Sequence, residues 1–65
     1  MSIRSAFHAM LSERGISKKL GINKRKASYY KKRIERNLPV AYEIMAELLI
    51  KAGWKDNGWS PPTDH

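Results

Sequence analysis

The sequence contains no cysteine in its 65 residues, which excludes disulfide bonds and thiolate metal sites. It also lacks long hydrophobic runs, since no uninterrupted hydrophobic stretch exceeds three residues. Such runs are far too short for a membrane span or for the core of a signal peptide. We therefore expect one small cytoplasmic domain without a membrane segment, stabilised by packing or by a partner chain.

Motifs that would support catalysis are missing too. There is no glycine-rich phosphate loop and no nucleophile motif. His8 has only His65 as a second histidine, which argues against a metal site. Glu43 and Glu47 are spaced four apart but have no nucleophile near them in sequence, so a solvated helix face explains them better. We expect no enzyme activity, no metal, no cofactor and no small-molecule substrate.

Acidic residues are scarce in one part of the chain. The whole sequence has 13 lysines and arginines against 6 acidic residues, a net charge of +7. Between Lys18 and Arg36 there are nine basic residues and a single acid, Glu35. A positive field concentrated in one segment favours a polyanionic partner such as nucleic acid.

Apolar residues recur at helical intervals in four stretches, and no segment alternates with the period of a strand. The first stretch carries Ile3, Phe7, Met10 and Leu11. The others cover residues 16–20, 24–36 and 39–52, with Asn23 as the N-cap of the third stretch and Pro39 in the first turn of the fourth. These patterns predict an all-α fold, a small bundle of about four helices.

The last residues are rich in turn and helix-breaking signals. We predict that residues 1–54 form the domain and that residues 55–65 form an irregular, partly disordered tail. Trp54 follows Gly53 directly, as in a Schellman helix end, where it could pack on Leu49. Trp59 is the second aromatic residue that we expect to fold back onto the body.

The turn between the second and third stretches has a recognisable pattern. Glycine at this corner accepts a positive φ without steric cost. The pattern is apolar–small–x–x–apolar–Gly–apolar, and it is formed by Ile16, Ser17, Leu20, Gly21 and Ile22. Two residues of an apolar helix face follow, Ala27 and Tyr30. Over about residues 13–34, the chain resembles the helix-turn-helix of bacterial and phage DNA-binding regulators.

The resemblance has three departures. Ser17 stands where the family usually has alanine, and Tyr30 stands where it usually has an aliphatic residue. Gly15 falls inside the stretch of the family's first motif helix, where glycine costs about 1 kcal/mol relative to alanine. Two alternatives follow: the helix begins near Ser12 and runs through Gly15, or it is one short turn from Ile16.

The third stretch would be the recognition helix. If Ala27, Tyr30 and Ile34 face the core, the opposite face is free for DNA. The resemblance implies that bases are contacted by Lys24, Arg25, Ser28 and Tyr29. The flanking cations are expected to contact phosphates: Lys18, Lys19, Lys26, Lys31, Lys32, Arg33 and Arg36.

Helix electrostatics independently favour the same partner. Lys24, Arg25 and Lys26 occupy the first turn of their helix, where each cation is unfavourable by about 0.3–1 kcal/mol. An external anion at this end would offset that repulsion, and free N–H groups at a helix N-terminus also bind phosphate.

The fourth stretch is apolar over most of its circumference. Its only charged residues between positions 40 and 52 are Glu43, Glu47 and Lys51, which share one narrow stripe. Because a terminal helix needs only one apolar stripe, we expect a homodimer. Its interface is expected to consist of Tyr42, Met45, Leu49 and Ile50. The alternative is a monomer in which this helix is embedded centrally.

We therefore expect a homodimer that binds double-stranded DNA through the major groove and represses transcription by covering a promoter, in the nucleoid. One alternative is an RNA-binding or non-specific nucleic-acid-binding basic module. Another is a protein-interaction module, antitoxin-like or a phage inhibitor, that docks through the helix at residues 39–52.

The concentrated positive charge makes affinity for duplex DNA strongly dependent on salt. If five or six phosphates are contacted, the slope of log K against log salt will be about −5, from roughly −0.9 per contact. Fluorescence anisotropy titrations at several salt concentrations measure this slope. Binding that is independent of salt, or absent at low salt, would contradict the electrostatic footprint.

Overall fold

Helix α1, Ile3–Leu11, is the element around which the rest of the chain folds. The computed structural model describes residues 2–62. The side chain of Ser2 caps α1 by accepting a hydrogen bond of 3.1 Å from the backbone N–H of Ser5. Three further helices follow: α2 (Ile16–Leu20), α3 (Lys24–Glu35) and α4 (Tyr42–Lys51). All three pack against α1.

The predicted all-α bundle of four helices is confirmed. Residues 2–62 form these helices and no strand, apart from an isolated bridge between Lys55 and Ser60. No helix in this range is long and apolar enough to cross a membrane. A helix-turn-helix stays a prediction, and α2, the residues 21–23 and α3 are the elements that would form it.

Gly15 separates α1 from α2. Its φ of 74° lies in the left-handed region, so the helix cannot run through it. Of the two alternatives for the first motif helix, the short turn that begins at Ile16 is therefore correct. It has only five residues, and Ile16 and Leu20 are its buried side chains.

Helices α2 and α4 both end in a Schellman motif. After α2, Gly21 has a φ of 72°, and the N–H of Ile22 donates to the carbonyl of Ser17 at 3.0 Å. After α4, the N–H of Trp54 donates to the carbonyl of Leu49 at 2.9 Å, as the Gly53–Trp54 pair predicts. These bonds satisfy carbonyls that a helix end would otherwise leave without a partner.

The predicted start of the fourth helix at Pro39 is wrong, because α4 begins only at Tyr42. Two arginine side chains bind the carbonyls just before it. Arg4 Nη2 donates to the carbonyl of Leu38 at 2.7 Å. Arg33 donates to the carbonyl of Pro39 from Nε at 3.0 Å and from Nη2 at 2.7 Å. These bonds hold residues 36–41 as a connector between α3 and α4.

The core lies where α1 meets the other three helices. Its largest fully buried side chains are Phe7, Met10, Leu20 and Leu49. Trp54 and Trp59 are also buried, at 5% and 7% exposure, which confirms that both fold back onto the body. The part of the predicted disordered tail at residues 63–65 lies outside the described residues.

Replacing Gly21 with alanine will destabilise the protein by about 1–2 kcal/mol, because a Cβ is unfavourable at its left-handed φ. Only Lys51 Nζ, at 4.0 Å, lies near the added atom, so the loss reflects the backbone and not a clash. Gly21→Asn is the matched control and will lose less, since asparagine adopts this conformation more readily. Urea denaturation measures both, and equal losses would contradict the backbone explanation.

Candidate nucleic-acid interface

Helix α3 starts from a side-chain cap. Asn23 is extended, with φ −80° and ψ 161°, and its Oδ1 accepts a hydrogen bond of 2.7 Å from the backbone N–H of Lys26. The three cations of the first turn, Lys24, Arg25 and Lys26, are all exposed. No acidic residue lies in that turn to balance them.

The inner face of α3 packs on the body through few side chains. Ala27 is its only buried residue, at 8% exposure. Tyr30 and Ile34 are half-buried and pack against the core, as predicted for this face. The rings of Tyr30 and Phe7 meet edge to face with centroids 5.9 Å apart. This contact joins α3 to α1 at the middle of both helices.

The opposite face of α3 carries an exposed row of residues at spacings of four, three and four. This outer stripe consists of Arg25, Tyr29 and Lys32 on α3 and of Arg36 at its C-cap. Tyr29 is 55% exposed, and its ring meets that of Tyr30 edge to face with centroids 5.5 Å apart. The stripe thus presents three cations and one partly fixed aromatic ring.

A second group of predicted site residues faces α2. Lys24, Ser28 and Lys31 line one wall of an open groove of about 290 Å³, and Ile16 and Ser17 belong to the other wall. We call this the α2–α3 groove. Lys24 and Ser28, predicted to contact bases, thus lie beside Lys31, which was predicted to contact phosphate. On α2 itself, the predicted phosphate contacts Lys18 and Lys19 are both exposed.

Arg33 has a structural role that the sequence did not indicate. Two of its guanidinium nitrogens donate to the carbonyl of Pro39, and its Cζ lies 5.6 Å from the centroid of the Tyr29 ring. Its predicted phosphate contact therefore competes with bonds inside the chain. The signal for this tether, and for that of Arg4 to Leu38, is absent from local sequence, because each depends on the path of the connector.

The single acid of the basic segment is directed towards α1. Glu35 Oε2 lies 3.0 Å from His8 Nε2. The hydrogen bond from His8 lowers the pKa of Glu35 below its ordinary value, and the charges of His8, Lys31 and Lys32 lower it further. His8 is thus a surface link between α1 and α3. Within residues 2–62, no cluster of acidic and histidine side chains could hold a metal ion.

The fold buries two of the four expected dimer-interface residues and exposes the other two. Met45 and Leu49 are 3% and 0% exposed and belong to the core of their own chain, so the expectation that they meet a partner is wrong. They face α1 because they lie on the strip of α4 that the bundle covers. Tyr42 and Ile50 lie on the outside, at 61% and 56% exposure.

Compared with protein-family models, curated proteins and solved structures, the chain matches none of them. No relative therefore assigns a role to any residue. The outer stripe, the α2–α3 groove and the charges that they carry are the features of the molecule that bear on function.

Replacing Arg33 with methionine will lower stability by about 1 kcal/mol, because the carbonyl of Pro39 loses both donors. Lys32→Met, at an exposed neighbouring position, is the matched control and will stay within about 0.5 kcal/mol of the wild type. Thermal and urea denaturation at low salt measure both variants. An Arg33→Met protein as stable as Lys32→Met would mean that the tether contributes nothing.

Proposed function

We propose that this protein binds double-stranded DNA with sequence preference by placing α3 in the major groove. The observation that carries the proposal is that the cations of α3 are not neutralised by acidic side chains. Among the residues that the structure describes, no lysine or arginine of this helix forms an ion pair, and the single acid there is bound to His8. Except for Arg33, whose guanidinium is bound to the carbonyl of Pro39, these charges are available to a polyanion.

The size of α3 suits the proposed target. Twelve residues make a helix about 18 Å long and, with side chains, about 10–12 Å wide. The major groove of B-DNA is about 12 Å wide and 8.5 Å deep, which admits one such helix. Arg25 and Tyr29 of the outer stripe would point to the floor of the groove. Lys26, the C-terminal cations of the stripe and the cations of α2 would face the phosphates beside it.

Base reading is assigned to the N-terminal half of α3. Arg25 can donate two parallel hydrogen bonds to the O6 and N7 of guanine. Lys24, Ser28 and Tyr29 are exposed beside it and complete the set. The ring of Tyr29 contacts both Tyr30 and the guanidinium of Arg33, so it loses less freedom on contacting a thymine methyl group.

Phosphate contacts supply the remaining affinity. The exposed or half-buried cations assigned to this role are Lys18, Lys19, Lys26, Lys31, Lys32 and Arg36. They belong to two helices on either side of the turn at residues 21–23, so they could contact backbone on both sides of the groove. A small protein bound in this way would regulate transcription most simply by covering a promoter.

Two substitutions separate base reading from charge-only binding. Arg25→Ala will relax the preference at one base pair and cost about 1–3 kcal/mol on the preferred site. Lys31→Ala will weaken binding to all sequences about equally and reduce the salt slope by about 1. Sequences selected from a random duplex pool, followed by anisotropy titrations of preferred and scrambled sites, measure both effects.

The same two variants also test the alternative function, which is binding of nucleic acid without sequence preference. Equal, sequence-independent losses for the two variants would remove the base-reading role of Arg25. If the pool then shows no enriched sequence, α3 is a general polyanion-binding surface, and titration with single-stranded RNA becomes the deciding comparison. Circular dichroism of each variant checks that the helices remain intact.

A further inference from the structure

The outward side of α4 is divided lengthwise into three strips. Successive helix residues are about 100° apart, so residues four apart lie in nearly the same direction. One strip is charged and consists of Glu43, Glu47 and Lys51. On one side of it lie Ile44 and Leu48. On the other side lies an apolar strip of Tyr42, Ala46 and Ile50, which we call the dimer strip.

The two apolar strips differ in how far the rest of their own chain covers them. Ile44 and Leu48 line a groove of about 230 Å³ together with Ile22 and Tyr30, so the turn and α3 cover part of them. The dimer strip lies on the side away from that groove. Tyr42 and Ile50 are the two most exposed large hydrophobic residues in the described part of the chain, at 61% and 56%. Ala46 between them is half-buried.

We propose that a second copy of this chain packs antiparallel on the dimer strip, about a two-fold axis that passes close to Ala46. The strip is self-complementary in this arrangement, because Tyr42 of one copy then lies level with Ile50 of the other. The small side chain of Ala46 at the axis lets the two helices approach closely. The Tyr42–Ile50 contact occurs twice, about 6 Å on either side of the axis.

The neighbouring charged strip fits the same arrangement. In an antiparallel pair, the charged strips of the two copies lie on the same side of the interface. Glu43 of each copy then lies about two residues, or about 3 Å, along the helix axis from the level of Lys51 of the other. A parallel pair would instead place the two charged strips on opposite sides of the interface, where Glu43 and Lys51 could not meet. The one unfavourable contact of the antiparallel pair is Glu47 beside Glu47, at the solvent-exposed edge.

The interface is small. Ten residues of α4 span about 15 Å, which gives less buried area than the roughly 1,200–2,000 Å² of a standard stable interface. The pair therefore assembles in the micromolar range rather than the nanomolar range. The chain measures 31 × 23 × 17 Å, so a two-fold pair has the dimensions to place its α3 helices on the order of 34 Å apart, one turn of DNA.

Disulfide trapping tests the axis directly, because the chain has no cysteine of its own. Two copies of Ala46→Cys will bring their Cα atoms within the roughly 4.4–6.8 Å that a disulfide requires. In a glutathione redox buffer, the two thiols are oxidised to one intermolecular disulfide while oxidised glutathione is reduced. Ile44→Cys, on the other apolar strip of the same helix, is the matched control and will not be cross-linked at the same concentration, although its dimer strip is intact. Equal trapping of the two variants, or faster trapping of Ile44→Cys, overturns the proposal.

Sedimentation tests the same interface without a cross-link. The wild type will change from monomer to dimer between about 10 and 500 µM, as expected for an interface of this size. Tyr42→Glu and Ile50→Glu will remain monomeric with unchanged helix content, whereas Ile44→Glu will dimerise like the wild type. Glu47→Gln will tighten the pair by a few fold, because it removes the like charges near the axis. A monomeric wild type throughout, or a dimer that Tyr42→Glu leaves intact, overturns the proposal.

Pairing through the dimer strip does not depend on DNA binding, and the measurements distinguish the two. Trapping and sedimentation are done without nucleic acid. If the chain dimerises but binds no duplex, only the proposed function fails. If it binds duplex as a monomer at every concentration, only the dimer fails. When both hold, Tyr42→Glu will weaken binding to a two-fold symmetric site by at least tenfold and leave a single half-site unaffected.

Discussion

The attachment of α3 to α1 is the constraint on which the candidate interface depends. Helix α3 has six basic residues and one acid, and it buries only Ala27. Three further contacts hold it against the body: half-buried Tyr30 against Phe7, half-buried Ile34 at the core, and Glu35 against His8. These contacts occur at successive turns of the helix, so together they fix its direction as well as its position. Because α3 is so polar, these few contacts with neighbouring elements stabilise it, and it has no broad buried face of its own.

The helices could be predicted from local sequence because their signals are local. Asn23 and Gly21 mark ends that depend on φ or on a side chain within three residues, whereas Gly15 left two starts for α2 open. The start of α4 could not be predicted in this way. Pro39 is compatible with a first helical turn, but Arg33 and Arg4 bind the carbonyls at positions 39 and 38. Arg4 lies 34 residues from its acceptor, so no local pattern reveals this competition.

The exposed residues of α3 could be predicted from the sequence because they follow from which face of the helix is buried. Once Ala27 and Tyr30 are assigned to the inside, helical geometry places Arg25 and Tyr29 on the outside, where the structure has them. On α4 the same reasoning failed for Met45 and Leu49. That helix has several apolar strips, and periodicity alone does not say which one the bundle covers. The choice depends on where α1 lies, which is a property of the tertiary fold.

The charges in the first turns of α3 and α4 differ in a way that connects helix stability to the proposed function. In α4, Glu43 lies in the first turn and Lys51 in the last, so both charges favour the helix dipole. In α3, three cations crowd the positive end, and Asn23 supplies only one hydrogen bond against their repulsion. The same chain thus contains the stabilising arrangement on one helix and its reverse on the other. The reverse lies on the helix whose outer face is exposed, and an approaching phosphate backbone would convert that repulsion into attraction.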